Sequence, residues 1–351
     1  FCHLRKGYIQ WPPGTRMLVR QVLVRPSGSD PSLSTIGTRL DMEDGLLLLE
    51  APSGPPPGGF TLALTGGGTW SSAEARVESG RTLVFQSGTY VMQGGPNLVG
   101  GDGYSHIPSG AGAIIEVAAG AEMELAGPLP ASPTMGYFAF EGGVINGPGL
   151  TKVTGVLRVA GGSIGASGQG NLENAGLLRF AVSSTNISGT LLNRIDGEVE
   201  QVESQVTVAS GGIINLGVWE STVDGPFAPN SVSGPFDNGG RVQVSTGTLA
   251  FAGPVAQVVN GQLTGGEWVV ELGAKLVLPE PLTTIGAGAS LAGSVANLLP
   301  AVARVAGQLS LNGNSQFNAG LRIELGGMVQ IPPAATTTVG QPGLVIEGES
   351  P

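Results

Sequence analysis

An asparagine set close to glycine returns at nearly equal intervals along this chain, and few folds accept such a pattern. Asn174, Asn193, Asn215, Asn238 and Asn260 are separated by 19, 22, 23 and 22 residues. Their contexts match: Leu172-Glu173-Asn174-Ala175-Gly176, Ile214-Asn215-Leu216-Gly217 and Phe236-Asp237-Asn238-Gly239-Gly240. A short alternating run follows each, as in Leu178-Arg179-Phe180-Ala181-Val182, Val218-Trp219-Glu220 and Arg241-Val242-Gln243-Val244. Alternation of period two marks a β-strand with one face turned inward.

A repeat of about 22 residues, made of short strands and Gly-rich corners without a helical segment, fits one coil of a parallel β-helix. Stacked coils pair strand to strand at about 4.8 Å. Asparagine tolerates the left-handed backbone of a corner, and its amide can hydrogen-bond to the equivalent residue one coil away. The five asparagines are therefore expected as coil corners. The same alternation runs upstream through Thr61–Leu64, Arg81–Phe85, Ile114–Val117 and Val156–Val159. Downstream it continues through Lys275–Leu278, Gln308–Leu311 and Leu321–Leu325. Residues 60–350 leave room for about 13 coils and a rod about 60 Å long at this strand spacing.

Composition agrees. Gly and Pro make up 85 of 351 residues, about twice the usual share, which nearly excludes long helices. The apolar share is 41 %, too high for a disordered chain. The expected fold is all-β, a single-stranded right-handed parallel β-helix. Residues 1–59 are expected as an irregular basic cap or interaction arm, and 60–351 as the coil domain with its C-terminal cap. The first segment holds Trp11-Pro12-Pro13 and the linker-like stretch Ser53-Gly54-Pro55-Pro56-Pro57-Gly58-Gly59.

Net charge is −10, which argues against nucleic acid as the main ligand because phosphate affinity rests on cationic neutralisation. The charge is split. Residues 1–25 hold Arg5, Lys6, Arg16, Arg20 and Arg25 and no acid, so the remainder carries −15. Cys2 is the single cysteine and forms no internal disulfide. The chain opens on Phe1, as a processed or truncated product would. The long uncharged stretch Pro281–Ala303 is interrupted by Gly and Pro, so it does not read as a membrane span, and no integral membrane role is expected.

The stretches Gly142-Gly143-Val144-Ile145-Asn146-Gly147, Gly161-Gly162-Ser163-Ile164, Gly189-Thr190-Leu191-Leu192-Asn193 and Gly211-Gly212-Ile213-Ile214-Asn215 resemble the degenerate repeats of large secreted bacterial β-helix proteins. These are the autotransporter-passenger and filamentous-haemagglutinin type, and the resemblance covers about residues 60–330. It implies an extracellular or cell-surface rod, an adhesin or a fibre component, without enzymatic activity or cofactor. The charge split adds an expectation of its own. A basic arm carrying Arg5, Lys6, Trp11, Arg16 and Arg20 would meet the acidic body of a second copy, a heterologous contact that propagates into filaments. The alternative is a solvated cap on a monomer.

The runner-up is a carbohydrate-active or glycan-binding β-helix. For a polysaccharide lyase or hydrolase the best constellation is Asp102, Tyr104 and His106 in one loop, an acid, a phenol and an imidazole able to converge on a sugar. The plainer reading is a polar excursion between coils. Asp196, Glu198 and Glu200, with Glu203 beyond, place carboxylates on one strand face. They read first as a solvated surface and only weakly as a calcium site. Trp70, Trp219 and Trp268 fall inside repeat-like strands and are read as packing, with Trp11 the better candidate for binding. No phosphate-binding Gly loop, Cys/His metal spacing or nucleophile elbow is present.

Overall fold

The computed structural model describes all residues except 1, 5–7, 10–15, 25–32, 50–59, 79–80, 94–95, 101–103, 108–111, 118–121, 127–137, 142–143, 166–170, 182–183, 209–210, 224–228, 294–303, 312–314, 318–319, 332, 334–335, 342 and 348–351. Among the described residues every regular element is a strand. Strands stack in parallel as a β-solenoid whose turns are roughly 21 residues apart. The chain divides into two compact units, Phe1–Leu191 and Leu192–Pro351. No helix among the described residues is long and apolar enough to cross a membrane.

In the first unit one coil consists of Val144–Asn146, Leu150–Val153 and Val156–Val159. The next consists of Ser163–Ile164, Asn171–Asn174 and Leu177–Ala181. They pair strand for strand and in parallel, with Val144 opposite Ser163, Leu150 opposite Asn171 and Val156 opposite Leu177. Within each strand alternate residues are buried, as in Leu157 and Val159. The corresponding positions of successive coils therefore form inward columns. One runs Leu62, Leu83, Ser105, Phe138, Leu157, Leu178 in register. In this column the small Ser105 stands next to the large Phe138, and both are buried. Trp70, Phe85 and Tyr90 cluster with ring centroids 5.1–6.4 Å apart. All three are fully buried, each contributing about 1.5–3 kcal/mol by removal from water.

The ladder begins inside the segment expected as a cap or arm. Arg16–Val24 pairs in parallel with Cys2–Leu4 on one side and Arg39–Leu49 on the other. Leu33–Ile36 pairs with Phe60–Leu64. Basic residues stand out in this part of the sequence, but Met17-Leu18-Val19 and Leu46-Leu47-Leu48-Leu49 supply apolar runs of the kind that covered parallel strands carry. A register shift between Val19 and Gln21 interrupts the pairing with Arg39–Leu49.

The second unit repeats the plan. Gln205–Val208, Gly212–Asn215 and Val218–Thr222 pair in parallel with Asn230–Ser233, Phe236–Asn238 and Arg241–Val244. Its central inward column runs Val199, Trp219, Val242, Trp268, Leu291, Leu309, all 0–1 % exposed. Phe236 meets Trp219 edge-on at 5.5 Å, and Phe251 meets Trp268 at 5.8 Å. These two tryptophans and Trp70 are interior packing, and none presents a ring to a ligand.

Candidate functional site

The expected corner asparagines separate into two kinds. Asn193, Asn215 and Asn238 are fully buried and form a directional chain of amides. Asn193 Nδ2 donates to Asn215 Oδ1 at 2.7 Å, and Asn215 Nδ2 donates to Asn238 Oδ1 at 2.9 Å. The same nitrogens donate to the carbonyls of Val218 and Arg241 at 3.0 and 3.1 Å. Asn174, also buried, accepts from its own corner, Gly176 N–H, at 3.3 Å. Asn260 does not join the chain. It is exposed, with φ of 51° followed by Gly261 at 74°, and it turns the antiparallel hairpin Val258–Val259 to Gln262–Leu263. Two successive left-handed residues are the two-residue hairpin solution that Asn-Gly favours. At that level Gln257 Oε1 accepts from Asn238 N–H at 2.7 Å, and Asn238 Nδ2 donates to the Glu267 carbonyl at 3.3 Å.

A second buried polar group lies beside Trp219. Its indole N–H donates to Gln201 Oε1 at 3.2 Å, while Gln201 Nε2 donates to the Ser204 and Ser231 carbonyls, both at 2.9 Å. Asn230 Oδ1 accepts from Ser204 N–H at 2.7 Å, and its Nδ2 donates to Ser221 Oγ at 2.9 Å. These contacts satisfy polar atoms that burial would otherwise penalise by about 1–3 kcal/mol each. Both assemblies hold coils together, and neither faces solvent.

On the outside of the second unit an open groove of about 790 Å³ follows the corner between the second and third strands of successive coils. One wall is a column in register: Val218, Arg241, Glu267, Ser290, Gln308, Met328. The preceding residues Gly217, Gly240, Gly266, Ala289 and Gly307 form a floor almost without side chains. The glycines answer to coil stacking. A Cβ on Gly217 would lie 2.1 Å from the Arg194 carbonyl oxygen, and one on Gly240 2.3 Å from that of Gly217. Arg241 is held from both sides: Nη1 lies 3.5 Å from Glu267 Oε1, and Nη2 donates to Gln243 Oε1 at 2.8 Å. Gln243 Nε2 in turn donates to Ser245 Oγ at 3.2 Å, and Ser245 Oγ to Glu220 Oε1 at 2.5 Å.

The residues singled out from sequence fare differently. Asp102 lies outside the described residues, as do Arg5, Lys6 and Trp11. Tyr104 and His106 are on the strand Tyr104–Ile107, in register with Thr82 and Val84, and its buried members are Ser105 and Ile107. Arg16 and Arg20 are on the strand Arg16–Val24, Arg16 opposite Arg39 and Arg20 at the register shift. Asp196 is exposed and lies 3.9 Å from Arg194. Glu198 and Glu200 are two positions apart on the outward face of the strand Glu198–Val202, Glu200 in register with Glu220. No group of three His, Cys, Asp or Glu among the described residues is close enough to hold a cation.

Two surfaces escaped the sequence reading. One is the groove, whose signal was the glycine immediately before Val218, Arg241 and Gln308. The other is the strand Leu344–Ile346, where Leu344, Val345 and Ile346 are 54, 46 and 68 % exposed. It pairs with Leu321–Ile323 and, among the described residues, has no strand on its other edge. A Leu-Val-Ile run reads from sequence as core, and only its place in the ladder exposes it. Comparison of the chain with protein-family models, with characterised proteins and with solved structures gives no match.

Proposed function

We propose that this chain is a non-enzymatic extracellular β-solenoid of structural or adhesive type whose copies join head to tail. The observation that carries the reading is the exposed apolar strand Leu344–Ile346. Three consecutive exposed apolar residues on a strand that, among the described residues, is paired on one side are a template for another strand. The first coil offers a fitting partner. Among the described residues Cys2–Leu4 pairs only with Arg16–Val24, and Tyr8–Ile9 only with Leu33–Ile36. Charge favours the same contact, since residues 1–25 carry +5 while Glu347 and Glu349 follow the apolar strand. The extracellular placement is supported by the resemblance of the repeats.

Light scattering and negative-stain electron microscopy across protein concentration test the reading. Concentration-dependent assemblies that high salt weakens and that Val345→Lys disperses are expected. Single copies at every concentration, or assemblies indifferent to Val345→Lys, would refute it.

A further inference from the structure

We infer that the corner groove of the second unit is a binding site for an extended, uncharged polysaccharide that lies along the solenoid axis. This goes beyond end-to-end assembly and rests on different residues. The column Val218, Arg241, Glu267, Ser290, Gln308, Met328 places one side chain per coil. At the spacing of paired strands, six rungs extend over about 24 Å. That rung distance is close to the length of one pyranose unit in an extended glycan, so successive sugars would meet equivalent positions.

The chemistry of the rungs narrows the ligand. The six rungs that line the groove hold one cation and one anion, Arg241 and Glu267, which face each other at 3.5 Å, and Glu198 stands one rung below Val218, outside the lining. The lining offers no net charge to a polyanion or a polycation. Ser290 and Gln308 supply a hydroxyl and an amide, and among the described residues neither side chain is engaged in a protein hydrogen bond. These are the donors and acceptors that a neutral polyol requires.

An extended peptide fits less well, because strand addition needs free backbone groups and the floor carbonyls are occupied. Gly217 O accepts from Arg241 N–H at 2.9 Å, Gly240 O from Glu267 N–H at 3.0 Å, and Gly307 O from Met328 N–H at 2.9 Å. The floor of glycines lets the flat C–H face of a sugar ring approach the main chain. Exposed Ile195 and Leu216 at one end and Met328 at the other add apolar surface for the same faces.

Calorimetric titration of the full chain tests this, with cellohexaose and mannohexaose as neutral probes and a hexamer of galacturonate as the acidic one. At least one neutral hexasaccharide should bind, its trisaccharide more weakly by about tenfold or more because fewer rungs are met. Ser290→Trp, which fills the groove without touching a corner glycine, should weaken binding by about tenfold or more. Gln308→Ala, at an exposed position, should weaken it several-fold with an unchanged melting profile. Assembly measured by light scattering should be the same in both variants, which separates this site from the terminal edge. Absence of binding by either neutral hexasaccharide at millimolar concentration, equal binding to Ser290→Trp, or tighter binding of the galacturonate hexamer would each overturn the inference.

Discussion

Replacing Asn215 by alanine tests whether the amide chain holds coils together or merely occupies a corner. Asn215 is fully buried and takes part in three hydrogen bonds: from Asn193 Nδ2 at 2.7 Å, to Asn238 Oδ1 at 2.9 Å and to the Arg241 carbonyl at 3.1 Å. At about 1 kcal/mol net for each, their loss costs about 3 kcal/mol. Asn238 Oδ1 is left buried without this donor, which adds about 1 kcal/mol more. The expected cost is thus about 4 kcal/mol, against no more than about 0.5 kcal/mol for Asn260→Gly, where glycine accepts the left-handed backbone.

Coil stacks do not unfold as one two-state block, so the local readout is amide hydrogen exchange. The reporters are Leu216, Gly239 and Arg241, whose N–H groups donate to the carbonyls of Asn193, Asn215 and Gly217 at 2.8, 2.8 and 2.9 Å. A loss of 4 kcal/mol accelerates their exchange by about a thousandfold. Acceleration of less than tenfold, or the same change in Asn260→Gly, would refute the argument. Asn215→Asp sharpens the test. Its carboxylate accepts from Asn193 but has no N–H for Asn238 Oδ1, so burial among acceptors raises its pKa above the unfolded value near 3.9. A raised carboxyl pKa means that the variant is least destabilised below that value and loses stability as pH rises.

Three further outcomes follow from the packing. Gly240→Ala puts a Cβ 2.3 Å from the Gly217 carbonyl oxygen and should cost about 2–3 kcal/mol in urea unfolding. Gly326→Ala, where a Cβ meets nothing within 4 Å and φ is +81°, should cost only the left-handed strain of about 1 kcal/mol. Burial holds the Tyr90 phenol above its ordinary pKa, against the opposing backbone hydrogen bond at Gly67. The chain should therefore lose stability as pH rises past about 10, by up to about 1.4 kcal/mol per pH unit from this one group. Tyr90→Phe should remove that increment in alkaline urea titrations, while costing about 1 kcal/mol at neutral pH through loss of the bond to the Ser87 carbonyl.

The coil was legible because its interior is written locally. In Arg241–Val244 and Gln205–Val208 the buried residue alternates with an outward one, and a period of two survives any variation in corner length. The glycines before Val218 and Arg241 were legible for the same reason, since each marks a corner too tight for a Cβ. Asn260 misled because its dipeptide is the same as that of Asn238 and Gly239. What differs is the next coil, where Gly266 leaves a space that a Cβ could not enter without meeting Asn238 Nδ2 at 2.6 Å. The early ladder was hidden for another reason: five basic residues in 1–25 outweighed the apolar runs that pair there.

The outward groove was illegible because its members are neighbours only in register. Arg241, Glu267, Ser290, Gln308 and Met328 are consecutive rungs, yet they are 26, 23, 18 and 20 residues apart, so no fixed-period search aligns them. Corner excursions such as the hairpin Val258–Leu263 absorb the variation without disturbing the stack. The same tolerance has a functional consequence. Interior positions such as Trp219 and Val242 must match the coils above and below, whereas an outward rung answers only to solvent and to whatever lies along it. A charge placed by chance on such a column would meet its neighbour at one strand spacing, and Arg158 does stand in register with Arg179, Glu141 lying 3.5 Å from the former. In the groove, by contrast, the one cation and the one anion are adjacent and mutually paired, which leaves the groove lining without net charge, Glu198 standing one rung beyond it. That pairing is what a surface selecting an uncharged polymer needs and what a merely solvated face does not require.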